Sequence, residues 1–196
     1  MRNRSLASAV ATAVAVAGLA TFSGIASAES DFSTSGSANA QVDFRVTIPS
    51  VLFLRVGSGA FLADDGTTNE IEFDVTPAEL VSGGAVAGTG GDLGGGAVTV
   101  QVFSNGGAVD LTATNSAVLT SGSDTISWSE IEVTVANGNI PHPTFVDAGT
   151  SVPVALAPTA GRVTNRSDTW SYGYRNSSEV ASGTYTGTVT YTVVNP

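Results

Sequence analysis

The chain has 196 residues, with 17 acidic side chains set against seven basic ones, all arginine, and with no lysine or cysteine. The missing residue types exclude Lys-dependent chemistry such as Schiff bases and P-loop phosphate binding, and with it thiol nucleophiles, disulfides and Cys-ligated zinc. A net charge of −10 repels nucleic acid and anionic membrane, and suits solubility at high salt or the binding of cations.

Arg2 and Arg4 precede an uncharged apolar run from Leu6 to Ala20, and Ala26-Ser27-Ala28 follows as a small-residue cleavage site. These three features predict a signal peptide over residues 1–28, leaving Glu29 first. The apolar run is alanine-rich and marginal for a membrane span, so no transmembrane anchor is expected in the mature chain. The expected destination is outside the cytoplasm: secreted, periplasmic or at the cell surface. Taking 28 residues from 196 leaves 168, enough for one domain with a real core. It also removes two arginines, so five face 17 acids and the mature charge becomes −12.

Residues 29–40 (ESDFSTSGSANA) are small and polar and read as a flexible leader. Alternation starts at Gln41 and runs to Ile48, placing Val42, Phe44, Val46 and Ile48 on one face of a predicted half-buried strand. Pro49 breaks it, and Val51–Val56 resumes as a more apolar strand. After an Asp-Gly turn in Ala63–Asn69, Glu70–Val75 alternates again, and Pro77–Val81 has the composition of one helical turn. The tetrapeptide GGAV recurs at Gly83, Gly95 and Gly106, which reads as recurring turn chemistry before strands. Val98, Val100 and Val102 line one face of a strand that ends at Ser104-Asn105-Gly106, and Val109–Ala113 leads back. Further strands are predicted at Thr125–Trp128, Ile131–Val135, Val152–Leu156, Asp168–Arg175 and Thr184–Val194. The alternation slips by one between Trp128 and Ile131, which predicts a β-bulge at Ser129-Glu130. About ten short strands predict an all-β, antiparallel β-sandwich, immunoglobulin-like or a related Greek key, as a single domain over residues 41–196.

Candidate chemistry is sparse. His142 is the single histidine, held in Ile140-Pro141-His142-Pro143, and reads as an exposed loop residue without a nucleophile motif. Asp64, Asp65 and Glu70 around a turn offer the hard oxygen ligands calcium takes, although the spacing is not that of an EF-hand. Asp124, Glu130 and Glu132 are conceivable as paired acids for glycoside hydrolysis, a mechanism decided by their separation in space. Trp170, Tyr172 and Tyr174 share a strand face: exposed they would stack sugar rings, and buried they are core. Asn165-Arg166-Ser167 and Asn176-Ser177-Ser178 fit the N-glycosylation pattern.

The two ends carry a resemblance. The last predicted strand sets Tyr185, Val189, Tyr191 and Val193 on one face and threonines on the other, and Gly183 is the fourteenth residue from Pro196. With the leader and strand 41–48, this resembles exported fimbrial subunits of the chaperone–usher kind and their spore-coat-like relatives. Asn195 stands where that family commonly has a penultimate aromatic, and the disulfide of some members is absent. The ending is also similar to that of a Gram-positive cell-surface domain, whose paired Trp-x-Leu motifs are missing. The fimbrial resemblance implies a non-enzymatic structural or surface protein, a fimbrial, coat or matrix subunit assembled by β-strand addition. Its partners would be copies of itself or other surface subunits, with Val42, Phe44, Val46, Tyr185, Val189, Tyr191 and Val193 as the strand-addition residues. The alternative is a secreted carbohydrate-binding module, with calcium assisting. Neither reading needs another cofactor.

Overall fold

The computed structural model describes residues 30–115 and 117–196; the expected signal peptide, residues 1–28, lies outside them. The chain divides into two units, Met1–Thr47 and Ile48–Pro196. Residues 30–47 of the first form no helix or strand, and their side chains are exposed.

The second unit is a sandwich-like β protein of 13 short strands in antiparallel sheets. In chain order these are β1 (Leu52–Val56), β2 (Ile71–Glu72), β3 (Val86–Ala87), β4 (Thr89–Gly90), β5 (Ala97–Ser104), β6 (Val109–Asn115) and β7 (Leu119–Ser121). There follow β8 (Asp124–Ile126), β9 (Ile131–Val135), β10 (Gly149–Thr150), β11 (Val154–Leu156), β12 (Thr164–Tyr174) and β13 (Val189–Val194). One helix, α1 (Pro77–Ser82), interrupts them where the sequence predicts a helical turn. Thr76 caps it by accepting from Glu79 N, Glu79 returns the bond to Thr76 N at 2.8 Å, and Gly83 closes it in the left-handed region. No helix of the described residues is long and apolar enough to cross a membrane.

The first sheet runs β1–β5–β12–β9. Gly173 and Tyr174 pair with both β9 and β3, so β3 extends the β5 side of β12 and leaves β9 as the outer strand. The second sheet has β6 at its centre, with β13 along one side and β10 and β11 in line along the other. Between β10 and β11 the register changes by one residue, since Ser151, Val152 and Pro153 oppose only Ala113 and Thr112. The bulge accommodates Pro153, which has no N–H to give, and Ser151 Oγ accepts the Ala113 N–H at 3.0 Å.

Strict alternation in β5 and β6 builds the space between the sheets. Val98, Val100 and Val102 face Val109 and Leu111, with Leu156, Ile140 and Trp170 completing one buried cluster. Each such aliphatic side chain contributes about 1.5–3 kcal/mol on leaving water. The three GGAV copies do precede strands, and their valines Val86, Val98 and Val109 are all buried. A second cluster holds Val86, Ile126 and Tyr174, with Phe73, Ile131 and Tyr185 against it.

Several sequence expectations need correction. Gln41–Ile48 is not a strand; Phe44 is 90% exposed and Val46 84%. Alternation is a local property, whereas a strand also needs a partner edge, and β5's edge is taken by β1. Glu70–Val75 shrinks to the two residues of β2, leaving Val75 exposed. The last strand begins at Val189, five residues later than its pattern predicts; before it Thr186 only bridges Thr120. At Trp128–Glu130 the change of face comes from a 3-10 turn capped by Ser127, not from a bulge.

That turn buries Trp128 and makes Gly187 necessary. A Cβ on Gly187 would lie 2.7 Å from Trp128 Cζ2 and 3.4 Å from Leu119 Cδ2. The indole is also held by its Nε1–H to Ala117 O, so it has little freedom to retreat. Gly187→Ala is expected to cost about 1–3 kcal/mol through overpacking. Urea unfolding of the variant, with near-UV circular dichroism to follow the indole, checks this; an unchanged midpoint contradicts it.

Candidate functional site

The exposed polar edge of the first sheet is the most distinctive surface feature. Arg175 N donates to Glu130 O and Ala136 N to Thr169 O, so the residues of even number across β9 turn their backbone toward β12. Antiparallel geometry then turns the N–H and C=O groups of Val133 and Val135 outward, away from the sheet. Their side chains stay half-buried against the main core. Beside this edge lies an open cleft of about 670 Å³, lined among others by Trp128, Val133, Val135, His142, Phe145 and Arg175. Glu132, on the other face of β9, pairs with Arg175 at 2.7 Å, both about half exposed.

The loop from Ala136 to Ala148, which links β9 to β10, forms the other wall. Its first part is pinned by Asp168 at the middle of β12. That buried carboxylate accepts from four backbone N–H groups: Asn137 at 2.9 Å, Asn139 at 2.6 Å, Ile140 at 3.1 Å and Thr169 at 2.8 Å. Burial alone raises its pKa, but the four donors together outweigh it and hold the group below its ordinary value. Ile140 is fully buried, and its carbonyl accepts the Trp170 Nε1–H at 2.8 Å.

His142 comes next, and it is not the exposed loop residue its proline neighbours suggest. Its ring meets Phe145, Trp170, Tyr172 and Tyr191 edge-on, with centroids 4.5, 4.6, 6.0 and 5.6 Å away. Nε2 lies 2.7 Å from the Tyr191 hydroxyl, which lies 3.0 Å from that of Tyr172. Burial lowers the His142 pKa to about 4, with a backbone contact at Pro143 offsetting only part. Burial likewise pushes the Tyr172 phenol up to about 12 and raises that of Tyr191 well above its ordinary value. The imidazole is therefore neutral at pH 7 and both phenols keep their protons.

The other sequence candidates scatter. Trp170 has no exposed surface and Tyr174 only 5%, while Tyr172 packs against the same core, so the sugar-stacking platform has no open face. Asp65 caps its own turn by accepting from Thr67 N, which holds its carboxyl below the ordinary range. Neither it, Asp64 nor Glu70 joins a group of three possible metal ligands, and none such forms among the described residues. Glu130 is buried and accepts from Ser177 N and the hydroxyls of Ser177 and Ser178; burial raises its pKa, and these bonds with the Arg175 charge bring it below normal. It thereby ties the 3-10 turn to the end of β12, while Asp124 stays exposed in β8. Tyr191 and Val193 face the main core from β13, Tyr185 joins the second cluster, and Val189 is half-buried opposite Asn115. Asn165 is exposed, but Asn176 is buried and spends its amide on Glu79 O and Gly84 O, which withholds it from modification in the folded state.

Asp168 goes unremarked in the sequence pattern, and Glu130 figures there only as a conceivable catalytic acid and a bulge position. The signal for the first was present: Asp168 shares its parity with Trp170 and Tyr174, and an acid on an inward face demands a partner. Against known proteins, the chain matches no protein-family model, no curated protein sequence and no solved structure.

Proposed function

We propose that the protein is an exported, non-enzymatic structural subunit that assembles by β-strand addition, residues 41–48 of one copy pairing with the outer edge of β9 in the next. The observation that carries this reading is the coexistence, among the described residues, of an alternating segment that has no strand of its own with a sheet edge that has no strand beyond it. Their patterns are compatible. An antiparallel register with Phe44 opposite Val133 sets Val46 beside Ile131, Val42 beside Val135 and Arg45 opposite Glu132. The parallel arrangement with the same Phe44–Val133 pair sets Asp43 against Glu132, a repulsive contact. The pattern of residues 1–28 supplies the expectation of export.

Light scattering on a sizing column tests the reading. The purified protein should form larger species as its concentration rises. Phe44→Asp with Val46→Asp should raise the concentration needed by at least roughly 100-fold, because each charge would have to leave water at the new edge. A wild type that stays monomeric at high concentration, or a double variant that assembles as before, sinks it.

A further inference from the structure

We propose that the Ala136–Ala148 loop is an acid-released plug: protonation of His142 expels it from between the sheets and opens the interior behind the β9 cleft. The loop is firmly tied at both ends and weakly in the middle. Asp168 holds Asn137, Asn139 and Ile140, and Asp147 accepts from Trp128 N and the Ser127 hydroxyl at 2.8 Å each. Between these anchors, Pro141–Val146 makes no backbone–backbone hydrogen bond among the described residues. What seats that stretch is side-chain packing, with the bond between His142 and Tyr191 its one buried polar tie. Gly138 and Gly149, at φ +71° and +92°, flank the segment as places where the backbone can turn.

A charged imidazole meets no carboxylate in this seat, and the Pro143 backbone contact compensates its burial only in part. The titratable groups facing it are the two phenols, Tyr191 on β13 and Tyr172 on β12, which stay neutral. Glu132 on β9 and Arg175 beyond β12 line the same cleft but neutralise one another. Asp168 and Asp147 are engaged with backbone N–H groups at the two anchors. The remaining neighbours, Trp170 and Phe145, are uncharged aromatic rings lying nearly perpendicular to the imidazole. Swinging out into water relieves the charge, and the opening uncovers Trp170, Tyr172 and Tyr191. This holds whether or not the chain assembles by strand addition.

His142 is the single histidine of the chain, so its ring proton resonance reports its titration without assignment ambiguity. The expected midpoint lies near pH 4. Exchange of the Trp170 indole N–H, buried beneath the loop and bonded to Ile140 O, should lose protection by about 50-fold between pH 7 and 4.5, ahead of the amides of the central strands β5, β6 and β12. His142→Gln, which keeps a neutral hydrogen-bonding group, should abolish that loss. A midpoint near 6.5, simultaneous opening of loop and sheets, or an unchanged response in the Gln variant overturns the proposal. Should that variant fail to fold, the wild-type curves decide alone, since protection must start to fall near pH 6.5 and level off at the midpoint of the ring titration.

Discussion

Replacing Trp170 by alanine is expected to leave the fold barely stable in the absence of denaturant. The indole is wholly buried, spans the gap between the sheets and packs against His142 and Tyr191 at centroid distances of 4.6 and 5.2 Å. Truncation of an aromatic in such a position costs about 3–5 kcal/mol through lost transfer energy and the cavity left behind. The Ile140 carbonyl, deprived of the indole N–H, adds about 1 kcal/mol more because it is buried with no water to replace the donor. Against a total of about 5–15 kcal/mol for an ordinary domain, that is a large share. Trp170→Phe separates the two contributions: it keeps most of the ring, loses the hydrogen bond and should cost about 1–2 kcal/mol. Trp128 remains in both variants as a fluorescent reporter of urea unfolding. A Trp170→Ala protein with the midpoint of the wild type would mean that the aromatic face is a surface platform after all.

The same residue shows how far the sequence pattern reaches. Trp170, Tyr172 and Tyr174 at period two mark a strand with one aromatic face, and the valines of β5 mark the sheet beside it. That much is legible because period two is a property of consecutive residues. The missed features depend on partners that are distant in the chain. Residues 41–48 alternate as well as β5 does, yet nothing local distinguishes a segment that finds an edge from one that does not. The slip after Trp128 was visible, but a bulge and a 3-10 turn produce the same change of parity. His142 between two prolines has the composition of a surface turn, and its burial follows from Ile140 and Pro143 being drawn in beside it. Glycine pairs announced turns correctly, whereas the need for glycine at position 187 arises only from the indole that approaches it. Of the candidate cleft, the apolar residues of β9 were readable and the loop that walls it was not.

Asp168→Ala is expected to unseat that loop and to cost about 3–5 kcal/mol. The substitution leaves the N–H groups of Asn137, Asn139 and Ile140 without their charged acceptor, and the Ile140 N–H is buried. Asp168→Asn keeps the shape but turns an amide donor toward backbone donors, so it should recover only part of the loss. The pH dependence carries an independent signature. The folded carboxyl lies below its ordinary value of 3.8, so its contribution is fully present above that pH and is lost as the pH falls through the folded value. Urea midpoints measured from pH 5 down to pH 2 should therefore decline less steeply in the Asn variant than in the wild type. His142 acts in a different window, because its lowered pKa makes stability decline from about pH 6.5 toward 4. Two separate acid steps follow, the upper removed by His142→Gln and the lower, to which Glu130 also contributes, reduced by Asp168→Asn. A single step, or one abolished by either substitution alone, would show that the loop's anchor and its buried ring are not held by independent groups.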